Sequence, residues 1–167
     1  MNEVQELKLD LGSGTHKKEG FIGVDLVALE GVDKVVDLTK FPWPWTDESV
    51  DALYSHHTLE HFDPINFVKV MNEAYRVLKA GKEFEIIVPL YPSDSAMQDF
   101  DHKMYFTTET FGRFEPENEY AYEVGVKNKW RRKLNDWTPA IKIEERSDGV
   151  ALVWPRLREL HVILKKL

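Results

Sequence analysis

Apolar and polar positions alternate along Leu7-Lys-Leu-Asp-Leu11, a period of two that predicts a strand. Short apolar runs over 21–26, 34–38, 50–55 and 83–89 predict four more. Between the last two the period changes. Val68, Met71, Tyr75 and Leu78 recur at steps of three and four, which predicts a helix with one buried stripe. Asp63 is a favourable N-cap, Pro64 suits the first helical position, and Gly81 fits the C-terminal cap. The stretch 41–49, with prolines at 42 and 44, reads as a loop in which Trp43 and Trp45 pack around the prolines. Residues 90–136 keep no sustained period, apart from a short helix predicted from Thr108. Two late strands are predicted over 141–146 and 159–164. Strands alternating with helical segments, closed by a terminal strand pair, predict a mostly parallel α/β sheet.

Length and charge narrow the picture. At 167 residues the chain suits one domain, 1–167, with 90–136 as the segment able to form a lid over a site. A net charge of -7 argues against a protein that coats nucleic acid or anionic membrane, without excluding a local basic patch. The basic run Lys127-Asn-Lys-Trp-Arg-Arg-Lys133 reads as a solvated helix face. With no cysteine there is no disulfide framework and no thiolate chemistry. The first residues lack the basic and apolar regions of a secretory leader, and no apolar run approaches a membrane span. A cytoplasmic location is expected.

Candidate chemistry gathers at the strand ends. Gly12-Ser-Gly14 follows the first strand, Asp25 ends the second, and Asp37-Leu38 ends the third. Glycine permits the sharp turn and leaves no side chain between backbone and ligand. A carboxylate at Asp25 can accept from both hydroxyls of a ribose. One at Asp37 can accept from an adenine amino group, with Leu26 or Leu38 on the ring face.

In order and spacing these segments resemble class I S-adenosylmethionine (SAM)-dependent methyltransferases. The similarity runs through Leu9-Asp-Leu-Gly-Ser-Gly14, Gly23-Val-Asp25, the loop 41–51, His57-Thr-Leu-Glu-His61, Tyr75-Arg-Val-Leu-Lys-Ala-Gly81, Phe106-Thr-Thr-Glu-Thr-Phe111 and Arg158-Glu-Leu-His-Val-Ile-Leu164. It covers nearly the whole chain. The resemblance implies a seven-stranded, doubly wound Rossmann-like sheet with an antiparallel terminal strand, and SAM as methyl donor. It implies a cofactor site of Asp10, Gly12, Ser13, Gly14, Asp25, Leu26, Asp37, Leu38 and backbone near His56. His16 stands where the family often has a third glycine, and only six residues separate Gly14 from Phe21. That is too short for the usual first helix, so the similarity is to the compact subgroup lacking it. SAM carries no phosphate for a helix N-terminus to hold, and tolerates the loss; NAD would not.

Histidine supplies the candidate base. A hydroxyl or ammonium acceptor must lose a proton, and histidine titrates near neutral pH. His57 beside the transfer position, or His102 from the later loop, is expected to take it. His57-Thr-Leu-Glu-His61 also fits H-x-x-E-H, an inverted zinc-peptidase pattern, which requires a regular helix carrying both histidines on one face. Here His57 follows directly on a strand, Glu60 and His61 are expected to cap and orient the loop after it, and no metal site is expected. The acceptor is unidentified. With the first strand starting near Leu7, no N-terminal cap is expected over the site, and an open site suits a bulky acceptor such as a glycan or macromolecule. A catalytically silent binding module on the same fold is the alternative, and a zinc hydrolase the third.

Overall fold

The structure, a computed structural model, describes residues 6–119, 125–127, 129–145 and 151–167. Positions 1–5, read above for a leader, lie outside the described residues, as do 120–124, Asn128 and the predicted strand end at Arg146. The strands are β1 (Lys8–Leu11), β2 (Ile22–Asp25), β3 (Lys34–Val35), β4 (Val50–His56), β5 (Leu78–Pro89), β6 (Trp130–Glu145) and β7 (Ala151–Lys166). They form one seven-stranded sheet in the order β3-β2-β1-β4-β5-β7-β6. β1 to β5 run parallel, and β7 is antiparallel to both β5 and β6. The expected α/β sheet with a reversed strand near its terminus is present. The chain first travels outward from β1 to β2 and β3, then returns to β4 on the other side of β1. Ligands bind at such a switch point, outside the carboxyl ends of the strands.

Helix α1 (Pro64–Val77) makes the β4–β5 crossover. Asp63 caps it by accepting from the amides of Ile65 and Asn66, at 3.0 and 2.9 Å, with Pro64 in the first turn. Its buried stripe is Phe67, Val70, Met71, Ala74 and Val77; Val68 and Tyr75, expected within it, lie on its half-buried flanks. Gly81 does not cap the helix. Leu78 is already extended and opens β5 at once. Gly81 instead sits inside β5 with φ +75°, where pairing with β4 skips from Val50–Leu78 to Ala52–Glu83. A positive φ suits that bulge as well as it suits a helix end.

From Trp130 onward the basic run is strand rather than helix face. β6 begins at Trp130, well before the predicted 141–146, and Trp130 is fully buried against Tyr75 and Phe84, with ring centroids 5.1 and 6.3 Å apart. The cations beside it have acidic partners: Arg131 with Glu117 at 2.9 Å and Arg132 with Glu115 at 3.1 Å. β5 stops pairing at Pro89–Glu159, but β6 and β7 continue to Glu145–Ala151 as a two-stranded ribbon beyond the carboxyl edge.

The first crossover, 12–21, carries no helix, as expected. It is tied down instead. The Gly12 and Ser13 amides both donate to the Val24 carbonyl, and the Lys18 amide donates to the Asp10 carboxylate at 2.8 Å. After β5 come helix α2 (Asp94–Met97) and a 3₁₀ turn, Thr110–Phe114, close to the short helix predicted from Thr108. Phe106 and Phe111 stack at 5.6 Å and pack on Phe67 of α1. Much of the segment expected as a lid is thereby anchored in the core. Trp43 is buried, donates its indole N–H to the Leu38 carbonyl and meets Trp45 edge-on, so its ring belongs to the core. Among the described residues, no helix is long and apolar enough to cross a membrane.

Candidate active site

Everything that gathers at the carboxyl edge turns around Gly12. Its φ is +74°, and a Cβ there would collide with the Thr58 side chain. Thr58 in turn donates its hydroxyl to the Gly12 carbonyl at 3.3 Å. The loop after β1 and the loop after β4 therefore lock face to face, and a cavity opens on either side of the contact.

The first is a cleft of about 330 Å³ over the tips of β2 and β3. Of the expected residues, Gly12, Asp25, Leu26, Asp37, Leu38 and His57 line it. Val36, Thr39, Thr58 and Phe62 line it too and were not singled out from the sequence, and so does His61, which was expected only to cap and orient the loop after β4. The Asp25 carboxylate is held by two amides, from Gly14 at 2.9 Å and Val27 at 3.1 Å, one on each oxygen. Each oxygen keeps a second lone pair for a ligand hydroxyl. Asp37 accepts from the Thr39 hydroxyl and amide on a single oxygen, and these bonds hold its carboxyl below the usual range. Its other oxygen accepts no bond from the described residues. Exposed Leu26 and buried Leu38 supply apolar surface beside these two acids.

The second cavity, about 430 Å³, contains the remaining loop residues Asp10, Ser13 and Gly14, together with Gly12 and His56. A Cβ on Gly14 would meet nothing within 4 Å, so its backbone faces open space. The Ser13 hydroxyl is buried without a hydrogen-bond partner among the described residues. Asp10 is 2% exposed, and burial raises its carboxyl against the opposing pull of the Lys18 amide. Taken together, the two cavities offer acceptors and apolar surface for a nucleoside on one side, and an orphaned hydroxyl with a carboxylate for a polar tail on the other. SAM has that pair of ends.

The histidines divide between two clusters. His56 and His57 meet edge-on at 4.5 Å, and both face one carboxylate oxygen of Glu159, at 3.7 and 3.1 Å. Glu159 is carried by β7 to the tip of β5, opposite Pro89. Only strand register brings it here, from 102 residues along the chain, and nothing local in the sequence marks it. His57 has φ +52°, and burial together with neighbouring His56 holds its ring below the ordinary histidine value, against the opposing pull of Glu159. The second cluster is Glu60, His61 and His102. His102 does not line the cleft. Its side chain is 3% exposed, its Nδ1 lies 3.1 Å from the Ala96 carbonyl, and it packs against the His61 ring. Glu60 is also buried, which pushes its carboxyl up to about 7. Its side chain caps nothing, contrary to expectation: the 3₁₀ turn Leu59–His61 has no side-chain cap, and only the Glu60 carbonyl is used, by the amides of Lys103 and Met104. His57 lies outside that turn, so the H-x-x-E-H residues do not share a helix face.

Residues 21–86 match the family model described as a methyltransferase domain. No curated protein matches the chain. Among solved structures, a SAM-dependent methyltransferase from Archaeoglobus fulgidus is 21% identical, with a TM-score of 0.66 over 96% of this chain and 86% of that one. The YcgJ protein of Bacillus subtilis is 15% identical, with a TM-score of 0.64 over 98% and 93%. A SAM-dependent methyltransferase from Methanosarcina mazei is 14% identical, with a TM-score of 0.59 over 98% and 94%. At these identities the likeness is one of fold.

Proposed function

We propose that this chain is a class I SAM-dependent methyltransferase that transfers a methyl group from SAM to a hydroxyl or amine acceptor, with His57 as the base; the methyltransferase-domain match over residues 21–86 supports the family. What supports this most is that Gly12, Asp25 and Asp37 bring a sharp turn and two carboxylates to one cleft at the switch point of the sheet. Asp25 binds the ribose hydroxyls, Asp37 accepts from the adenine amino group, and Leu26 and Leu38 pack on the ring. Ser13, Asp10 and the backbone around Gly14 receive the methionine end. When bound, SAM supplies a methyl group on a sulfonium, which leaves as a neutral thioether.

The protein's remaining work is alignment and removal of one proton. His57 takes that proton from the acceptor. With Nε2 donating to Glu159, the neutral ring keeps its lone pair on Nδ1. Burial and His56 favour the neutral ring at pH 7, and Glu159 stabilises the imidazolium that forms. Exposed Met97, Phe100 and Tyr105 after β5 suit a bulky acceptor, such as a glycan or macromolecule.

Calorimetry with SAM and S-adenosylhomocysteine tests the cofactor first. Asp25→Ala removes charge-assisted hydrogen bonds and should weaken binding about tenfold to hundredfold. Unchanged affinity would remove Asp25 from the ribose site, and no binding by the unmutated chain would favour a silent module. For the base, His57→Ala should flatten the acid limb of the pH–rate profile once an acceptor is found; an unaltered profile removes His57 from that role.

A further inference from the structure

Glu60 is 1% exposed, yet neither of its carboxylate oxygens accepts a hydrogen bond from any described residue. A buried carboxylate without donors is costly, and such groups are ordinarily paired or coordinate a metal. Its surroundings are suited to the second. Glu60, His61 and His102 each offer one ligand atom within 4.8 Å of the others. Three tetrahedral ligands at the usual zinc distances stand roughly 3.4 Å apart. The Glu60 Oε1–His102 Nε2 separation is 4.0 Å, so a small inward movement closes that edge.

His102 is already set for the task. Its Nδ1 faces the Ala96 carbonyl, which can only accept, so Nδ1 carries the proton and Nε2 holds the lone pair. Nε2 stands near Glu60 and lies 3.7 Å from the Asp99 carboxylate. A carbonyl fixing the far nitrogen is how metal-bound histidines are ordinarily oriented. His61 Nδ1 is buried, 3.1 Å from an Asp101 oxygen, without hydrogen-bond alignment. Asp99 and Asp101 are thus on hand to complete the coordination. His61 also lines the cleft, which gives an ion a way in.

We propose that Glu60, His61 and His102 form a binding site for one divalent transition-metal ion of the zinc–cobalt class. Two imidazoles and a carboxylate favour such an ion over magnesium or calcium, which take oxygen sets. The site differs from the H-x-x-E-H pattern in that its second histidine comes from residue 102; His57 Nε2 stays with Glu159, while its Nδ1 lies 3.7 Å from Glu60 Oε1 at the edge of the site. It clips the turn after β4 to the loop after α2, beside the His57 ring, and its test needs no methyl-transfer assay.

The test uses the full chain, stripped with EDTA, dialysed and titrated with cobalt chloride by visible absorption and with zinc chloride by calorimetry. One equivalent should bind, with the d–d bands of low-coordinate cobalt. Glu60→Gln and His102→Gln should each lower affinity by about tenfold to hundredfold or more. Glu159→Gln, which disarms the neighbouring histidine pair, should leave it unchanged. Absence of stoichiometric binding overturns the proposal, as does full binding in Glu60→Gln or loss in Glu159→Gln. Glu60→Gln keeps the buried side chain's size and shape while removing its acidity and is the variant expected to stay folded, so the test does not hang on His102→Gln. Circular dichroism and S-adenosylhomocysteine binding, measured in parallel, report separately on the fold and on the cofactor cleft.

Discussion

A side chain at Gly12 would have to share space with Thr58 and hold φ at +74°. A non-glycine residue in the left-handed region costs about 1–3 kcal/mol, and the collision adds to it. Gly12→Ala should therefore lower the melting temperature and weaken SAM binding together. Adding Thr58→Ala should restore part of the stability by removing the collision, leaving the backbone strain. Recovery to the full wild-type value would mean that φ carries no cost here. Gly12, Asp25 and Asp37 were legible in the sequence because each role is local: a turn residue, or a carboxylate at the end of a short strand. Thr58 and Glu159 were not. Their roles exist only through contacts across the sheet, Thr58 with the β1 loop and Glu159 with His57 through the register of β7 on β5. His102 was legible as chemistry but not as a place, since its burial behind the cleft depends on how the loop after α2 folds.

Among the elements, α1 was the most legible and its end the least. Asp63 and Pro64 mark the start because capping is a short-range hydrogen-bond pattern. Amide donors hold the Asp63 carboxyl below its ordinary value of 3.8. A carboxyl depressed by folding stabilises the fold above its unfolded value and loses that contribution as pH falls through its folded one. The melting temperature of Asp63→Ala should therefore lie below wild type at pH 7, with the gap narrowing below pH 3.8. A gap constant with pH would assign the effect to something other than the charged cap. Gly81 misled because one positive φ serves a helix end and a strand bulge equally, and only the pairing of β4 with β5 decides. β6 was hidden because its buried Trp130 is flanked by cations whose partners lie in the 115–117 segment. The loop after β5 is held by Phe106, stacked on Phe111 and packed on Phe67. Phe106→Ala should cost about 3–5 kcal/mol in chemical denaturation. A loss below about 1 kcal/mol would mean the segment is not anchored there.

At the scale of the molecule, the parallel strands deliver their carboxyl ends to one edge, and the site is assembled from loops that share little else. The β1 loop, the stretch 25–39 and the turn 57–62 meet only around the two cavities. Among the described residues the first crossover has no helix to stiffen it, and its order rests on Val24, Asp10 and Thr58. A ligand bridging those loops should stabilise them jointly, because whatever binds only the folded state adds its binding free energy to stability. At a hundredfold excess over Kd this is about 2.7 kcal/mol. Hydrogen exchange should localise the effect. With S-adenosylhomocysteine, amides of 12–15, 26–39 and 57–62 should gain protection, while those around Gly81, beside the amino end of the pairing between β4 and β5, should change least. Asp25→Ala at the same ligand concentration should abolish most of that difference. Protection confined to 57–62 and the loop bearing His102, with the Gly12 loop and 25–39 unchanged, would instead place the bound molecule away from the strand tips and count against the cleft as the cofactor site.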